Sequence, residues 1–309
     1  MWLFFALITF FAWGTADLFY KKSNVETEKY SHLKTSIFVG VVMGITALAT
    51  MIAKGIDYNP LNLLIYLPVS SMYILSMTVG YFGLRYLELS VSSPIQNASG
   101  AVSCILLMIV LREIPDALSI AAIILVTAGV ILLGVAEKKK ENAYEIEQNK
   151  KYKIGFKAFM MPILYCIIDS LGTFFDGWYL DDFTKTPLAG VTEENFEDVA
   201  NISYEFTFLI IAVILFIYVR VIRKEKIELP KQGNRVAAAA FETAGQFSYV
   251  YALSGNGVVA APVIASYCVC SAVLARIILK EKLTKSQYIS VALVVAGIVL
   301  LGIVEGLGE

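Results

Sequence analysis

The stretch AGVILLGV at residues 128–135 returns as AGIVLLGI at residues 296–303. The likeness extends upstream over residues 83–135 and 251–303, where matching markers recur at one constant separation along the chain. The marker pairs are Pro94 with Pro262, Glu113 with Glu281, Gly129 with Gly297, and Gly134 with Gly302. Two unrelated apolar segments rarely share such spacing, so the chain is predicted to be a duplicated membrane unit.

Composition supports a membrane protein. Of the 309 residues 58% are hydrophobic and 17% are charged, and the mean hydropathy is +0.69, whereas soluble domains carry about 25% charged residues. Ten apolar runs lie between short charged intervals, each near the length of about 20 residues that a helix needs to cross a bilayer. They cover residues 2–20, 33–53, 61–84, 92–111, 117–136, 156–180, 200–219, 236–253, 258–279 and 286–304.

The predicted fold class is all-α, a polytopic bundle of ten transmembrane helices. The runs lack the period-two alternation of a membrane barrel, and open sheet edges are not stable in lipid. Residues 1–136 are predicted as the first five-span repeat, 137–155 as a charged linker, and 156–309 as the second repeat. An odd number of spans inverts the second repeat relative to the first. The linker is expected to be a solvated connector, with a short interfacial helix as the alternative.

Basic residues predict the orientation. If the spans alternate, all but three of the 25 Lys and Arg residues lie on one side, the exceptions being Lys54, Arg112 and Lys185. The positive-inside rule then places the linker in the cytoplasm and both termini outside. We expect an integral protein of the cell membrane, plasma or inner.

Acidic residues within or near the spans are the first candidate site residues. They are Asp17, Asp169, Asp176, Glu205 and Glu242. A charge near the bilayer centre costs at least about 2.5–3.5 kcal/mol, so each should be paired, protonated or facing a cavity. Asp169, Thr173 and Asp176 share one face of span 6 with Cys166. The alternative for Asp17, Asp176 and Glu205 is a position at a membrane end, satisfied by water or by Lys21 and Lys22.

Aromatic and amide side chains accompany these acids. Trp13 lies one turn before Asp17 and Tyr165 one turn before Asp169, while Gln246 and Tyr249 follow Glu242. Carboxylates beside aromatic rings favour a cationic or amine-bearing ligand, although aromatic stripes also serve packing and interface anchoring. Gln96 and Asn97 after Pro94, and Tyr267 after Pro262, are expected to line a cavity because an unpaired amide in hydrocarbon is costly; proline in a first helical turn is otherwise ordinary.

The two halves resemble the EamA family of the drug/metabolite transporter superfamily. The resemblance rests on the paired endings REIPDALSIAAIILVTAGVILLG and KEKLTKSQYISVALVVAGIVLLG, and on the Trp13-Gly14 pair followed by Lys21. It implies a ten-helix bundle whose cavity is lined by spans 1–4 and 6–9, with spans 5 and 10 peripheral. It also implies secondary transport of small metabolites. Asp169, Asp176 and the long acidic interval after span 6 depart from the family pattern.

The predicted function is secondary active transport of a small metabolite by alternating access, driven by a proton gradient, with a cationic or amine-bearing substrate. The expected substrate-binding residues are Trp13, Asp17, Gln96, Asn97, Tyr165, Asp169, Thr173, Asp176, Glu242, Gln246, Tyr249 and Tyr267. No enzyme, cofactor or metal site is expected, because nucleotide, zinc and dinucleotide motifs are absent from the sequence. The expected partners are a small-molecule substrate, protons and the lipid bilayer, without nucleic acid, and the protein is expected to be a monomer or weak homodimer.

Two alternative functions remain open at this point. A membrane-embedded aspartyl enzyme would need two aspartates facing each other, usually in YD and GxGD settings, and neither string occurs in the sequence. A scaffold or receptor without flux would bind a ligand but not move it.

Overall fold

The computed structural model describes residues 1–25, 27–83, 92, 95–148, 156–278 and 283–308, and gives no side-chain description at 137–148, 156–159 and 308. Within these residues all long elements are α-helices. Pro94, Glu281 and residues 149–155 of the predicted linker lie outside the described residues.

The helices follow the predicted apolar runs in order. They are α1 (Trp2–Ser23), α2 (Ser31–Lys54), α3 (Leu61–Ile65), α4 (Leu67–Gly83), α5 (Ser99–Leu111), α6 (Ala117–Gln148), α7 (Phe156–Leu180), α8 (Phe196–Phe216), α9 (Gly233–Ala265), α10 (Tyr267–Ile278) and α11 (Lys285–Gly308). A π-helical segment, Ile217–Ile222, extends α8. Predicted span 3 is divided at Tyr66 into α3 and α4, and Pro68 lies in the first turn of α4, where a residue without a backbone N–H is tolerated.

Six helical segments of the described residues are long and apolar enough to cross a membrane, and Ile95–Leu111 is a shorter apolar helix. One of the six, Gly233–Ile278, has 46 residues. A straight helix of that length would extend about 69 Å, roughly twice the hydrocarbon thickness of a bilayer. This segment therefore cannot be a single straight span.

The chain folds back at Asn256. This residue has non-helical backbone angles, φ −170° and ψ 79°. Its side-chain oxygen accepts a hydrogen bond from the Val259 backbone N–H at 3.2 Å, which caps the helix that follows. In α1, Trp13 packs against Gly245 while the adjacent Gly14 packs against Cys270. Both arms therefore run beside the same part of α1.

The helices pack in specific groups. α1 contacts the first arm of α9 and also α10, while α7 contacts α4 and α5. α2 packs on α8, and α6 packs on α11. Large apolar side chains such as Phe4, Ile45 and Ile214 point outward, whereas many polar side chains are buried between the helices. This distribution suits a bundle surrounded by lipid with a polar interior.

The predicted linker is partly helical. α6 continues without a break through the predicted boundary at residue 136 and ends at Gln148. The backbone of residues 137–148 is thus a helical extension of the predicted fifth span. We call the end of the bundle where α6 continues in this way the linker end.

Candidate functional site

A cavity lies among α1, α4, α5, α7, α8, α9 and α10. Its volume is about 60 Å³, enough for roughly four water molecules. It is lined by Trp13, Asp17, Tyr20, Tyr73, Met77, Gly80, Tyr81, Gln96, Asn97, Ser99, Gly100, Tyr165, Asp169, Thr173, Tyr204, Glu242, Tyr249, Ala261, Ile264, Ala265 and Tyr267. None of the described lining residues comes from α2, α6 or α11. The resemblance implies that spans 5 and 10, here α6 and α11, lie outside the cavity lining, and no described lining residue belongs to them. It also implies that span 2 lines the cavity, whereas no described lining residue belongs to α2.

Asp169 is held between two helices of the first half. Ser99 of α5 donates a hydrogen bond to its Oδ2 at 2.7 Å, and Ser76 of α4 donates to its Oδ1 at 3.2 Å. Both carboxylate oxygens therefore have a donor, but a carboxylate has about four acceptor positions. The group can accept a further hydrogen bond from a ligand in the cavity.

Asp17 lies inside the bundle. Its side chain accepts a hydrogen bond from Ser271 of α10, with 2.7 Å between Ser271 Oγ and Asp17 Oδ2. The residue is 8% exposed and lines the cavity. The alternative that placed Asp17 in water at a membrane end does not describe this structure.

Glu242 of α9 is the third carboxylate of the cavity. Tyr20 donates to its Oε2 at 3.0 Å, and Trp13 Nε1 donates to its backbone oxygen at 3.2 Å. Both donors belong to α1. Glu242 is thus fixed against the same helix that bears Asp17.

Aromatic rings form much of the wall. The ring of Trp13 lies 5.1 Å from that of Tyr249 and 5.7 Å from that of Tyr267, measured between centroids. The Tyr73 hydroxyl donates to Thr173 Oγ1 at 3.0 Å and also forms a hydrogen bond with the Tyr249 hydroxyl. These contacts give the walls a fixed shape between the carboxylates.

Gln96 and Asn97 occupy the helical turn that precedes α5, and both are buried. Gln96 Nε2 and the Tyr81 hydroxyl make no hydrogen bond to any described residue. Both residues line the cavity. Because leaving a buried donor unpaired costs about 1–3 kcal/mol, these two groups are available to bind a ligand.

Asp176 and Gln246 are the two predicted site residues that do not line the cavity. Asp176 is fully buried and accepts a hydrogen bond from the Tyr66 hydroxyl. Gln246 is also fully buried, and neither atom of its side-chain amide is paired within the described part of the chain. The structure brings together the other ten predicted residues.

Sequence reasoning missed four tyrosines of the wall, namely Tyr20, Tyr73, Tyr81 and Tyr204. One signal was available for Tyr20, because it follows Asp17 by three positions and therefore shares its helix face. Tyr73, Tyr81 and Tyr204 lie on faces without a cavity carboxylate, so no pattern in the sequence marks them.

The electrostatic character of the cavity is acidic. Its lining contains Asp17, Asp169 and Glu242, and no Lys, Arg or His among the residues that the structure describes. The described residues also contain no group of three or more His, Cys, Asp or Glu arranged to hold a metal ion. Three carboxylates therefore face the cavity with no basic residue of the described lining to offset them.

Ion pairs join helices at both ends of the bundle. At the linker end, Glu28 binds Arg235 at 2.5 Å and Lys34 at 2.9 Å. Partial burial raises the pKa of Glu28, but hydrogen bonds from these two bases outweigh it and hold the pKa of the carboxyl below its ordinary value. At the opposite end, Asp198 of α8 binds Lys54 at 2.7 Å and accepts a hydrogen bond from Tyr251 at 2.7 Å.

The sequence matches the pattern of the EamA-like transporter family over residues 1–135 and 188–303. These segments make up most of the chain, so the protein belongs to the EamA-like transporter family. It is an integral membrane protein that lies in a lipid bilayer. It is a transporter of the drug/metabolite type, and its substrate is a small molecule.

No curated protein matches the chain. Among solved structures, one described only as "Crystal structure of protein" is similar to it, with a TM-score of 0.66 and 12% sequence identity. The match covers 98% of this chain and 96% of that one. At this identity the likeness shows a shared fold and nothing about a substrate.

Proposed function

We propose that the protein is a secondary active transporter that moves a small cationic or amine-bearing metabolite by alternating access, coupled to protons. The observation that carries this proposal is the acidic cavity, which contains three carboxylates and aromatic walls without a basic residue in its described lining. Coulomb attraction and cation–π contacts both favour a cation there. Members of the family are transporters rather than enzymes.

We further propose ten spans arranged as two inverted repeats, residues 1–136 and 156–309, joined by the linker 137–155. Reciprocal glycine contacts between α6 and α11 support this arrangement. A Cβ atom placed on Gly129 would lie 2.6 Å from Val294 Cγ2 and 2.9 Å from the Ser290 backbone oxygen. One placed on Gly297 would lie 2.7 Å from Val126 Cγ2 and 2.9 Å from the Ala122 backbone oxygen.

The same chain separation relates all three pairs of these residues: Gly129 to Gly297, Val126 to Val294, and Ala122 to Ser290. Replacing each residue by its counterpart in the other repeat therefore converts the contacts of Gly129 into those of Gly297. A two-fold axis in the membrane plane generates such reciprocity, and inverted repeats have this axis.

Alternating access would open the cavity to one side at a time. The Glu28–Arg235 contact at the linker end ties the loop after α1 to the start of α9. The Lys54–Asp198 contact at the other end ties α2 to α8. We propose that each ion cluster closes its own end and separates when that end opens.

The predicted site residues take the following roles in this proposal. Asp17, Asp169 and Glu242 hold the positive charge of substrate or proton, while Gln96 and Asn97 supply neutral hydrogen bonds. The aromatic walls are Trp13, Tyr165, Tyr249 and Tyr267, and Thr173 positions the Tyr73 hydroxyl. Asp176 and Gln246 lie away from the cavity in this conformation and receive no contact with the substrate.

We also propose that the protein lies in the cell membrane as a monomer or weak homodimer, with the linker in the cytoplasm and both termini outside. The distribution of Lys and Arg supports this orientation.

A ligand screen tests the proposed substrate class. Purified protein is heated with amines, amino acids, nucleobases or anionic metabolites, and its melting temperature is measured. A ligand of the native state at a hundred times its Kd stabilises the fold by about 2.7 kcal/mol. We expect amines to raise the melting temperature, and Trp13→Ala to reduce the shift. A screen that returned only anionic or purely apolar ligands would remove the cation proposal.

A further inference from the structure

Two parts of the cavity wall have the same local design. In α1 the aromatic ring of Trp13 precedes Asp17 by four residues, and in α7 the ring of Tyr165 precedes Asp169 by four residues. Each aromatic–acid pair thus lies on one face of its helix. All four residues line the cavity.

The surroundings of the two pairs also correspond. Trp13 packs against Gly245 of α9, where a Cβ atom would collide with the indole, and Tyr165 packs against Gly80 of α4, where a Cβ atom would lie 2.9 Å from the ring. The carboxylates of Asp17 and Asp169 each accept a hydrogen bond of 2.7 Å from a serine of the opposite half.

The serine donors indicate how far apart the carboxylates lie. Ser271 is bonded to Asp17, and Ser99, bonded to Asp169, adjoins Gly100. Gly100 packs against the stretch from Ala261 to Ala265, which lies six to ten residues before Ser271. At 1.5 Å per helical residue, the backbone levels of the two serine donors are separated by roughly 9–15 Å along the bundle.

This separation restricts the ligand. An ion pair needs a nitrogen-to-oxygen distance of about 4 Å or less, so one ammonium group cannot pair with both carboxylates at once. A bound Ca²⁺ ion is likewise excluded as a bridge, because its oxygen ligands lie at about 2.3–2.6 Å. Between this stretch and Ser271 the cavity is lined by Tyr267, and a methylene chain can pack against the ring of this residue.

We infer that the cavity binds a linear aliphatic diamine, with one ammonium group at Asp17 and the other at Asp169. The inference rests on the proposed function and narrows it from a cation to a dication. Trp13 and Tyr165 each contact the ammonium group held by their own aspartate. Glu242, which is bonded to Tyr20, carries the exchanged proton.

Calorimetric titration of the purified protein tests the inference with four probes: putrescine, cadaverine, butylamine and the zwitterion γ-aminobutyrate. We expect a diamine to bind about thirtyfold or more tightly than butylamine, because only the diamine forms the second buried ion pair. Asp17→Asn and Asp169→Asn should each reduce the affinity for the diamine to near that of butylamine. Asp57→Asn, which changes an exposed aspartate outside the cavity, is the matched control and should leave all affinities unchanged.

A second pair of variants keeps the test valid if an asparagine variant does not fold. Asp17→Glu and Asp169→Glu retain the charge and lengthen the side chain, so each should shift the preference toward a shorter diamine. A purely structural role would not change the preferred chain length. Equal affinities for butylamine and the diamines would overturn the dication inference and leave a transporter of monovalent cations. Absence of binding by all of the amines would overturn the proposed function as well.

Discussion

Replacing Asp169 by asparagine separates the charge of this residue from its size. The side-chain oxygen of asparagine can still accept the hydrogen bond from Ser99, and the Ser76 hydroxyl can turn to accept one from the new N–H group. The folded protein then has neutral hydrogen bonds in place of charged ones, which lowers the free energy of unfolding by about 1 kcal/mol. A cationic substrate loses a buried ion pair, which costs about 2–5 kcal/mol. That loss corresponds to roughly 30-fold to 4,000-fold in affinity.

The expected result for Asp169→Asn is near-normal expression and thermal unfolding with loss of coupled transport. Unfolding is followed in detergent, and amine uptake is measured in proteoliposomes with an imposed pH gradient. Asp57→Asn removes an exposed carboxylate of the same type and should transport like the wild type. Wild-type uptake by the Asp169→Asn protein would refute the role given to this carboxylate. Loss of uptake accompanied by a large drop in melting temperature would instead indicate a structural role.

Three further predictions concern topology, the repeats and the ion clusters. A cysteine introduced at residues 192–198 should react with an impermeant reagent in intact cells, and one at 142–148 should not; the opposite labelling would overturn the orientation. Gly129→Val and Gly297→Val should destabilise the protein by similar amounts, about 1–3 kcal/mol from overpacking, measured by thermal unfolding, and very unequal costs would contradict the reciprocal packing. Glu28→Gln should cost about 1 kcal/mol above pH 5. Because the folded pKa of Glu28 lies below its ordinary value of 4.5, this difference should shrink as the pH falls below that value and vanish once the pH is below the folded pKa. A difference that stayed constant with pH would argue against the ion cluster.

Much of the helix pattern could be predicted from hydropathy alone. The apolar runs correspond to the observed helices, because a spanning segment must satisfy its own backbone hydrogen bonds. The breaks were harder to predict. Pro68 follows the break at Tyr66 by two residues and was the available signal for it, although the surrounding run is apolar throughout. The helix after Ala117 continues to Gln148 although its end is charged, so there helix propensity outweighs the composition of the segment.

The candidate site was predictable where charge and periodicity coincide. Asp169 and Tyr165 share one face of span 6, and no Lys or Arg lies nearby in the sequence to pair with the aspartate. Both residues line the cavity. Gln246 follows Glu242 by one turn and shares its helix face, yet it does not line the cavity. Residue spacing predicts which side of a helix a residue occupies but not how far along the helix the cavity extends. Tyr73 and Tyr204 required the tertiary packing of α4 and α8, which a single sequence does not encode locally.

Coupled flux is the most direct test of the central claim, that the acidic cavity carries a cation in exchange for protons. Proteoliposomes containing the wild-type protein and an internal pH indicator are supplied with external amine. We predict amine uptake accompanied by proton release from the lumen, and neither movement with Asp169→Asn. Amine uptake by wild-type protein that proceeds without any proton movement, or transport restricted to anionic metabolites, would contradict the account.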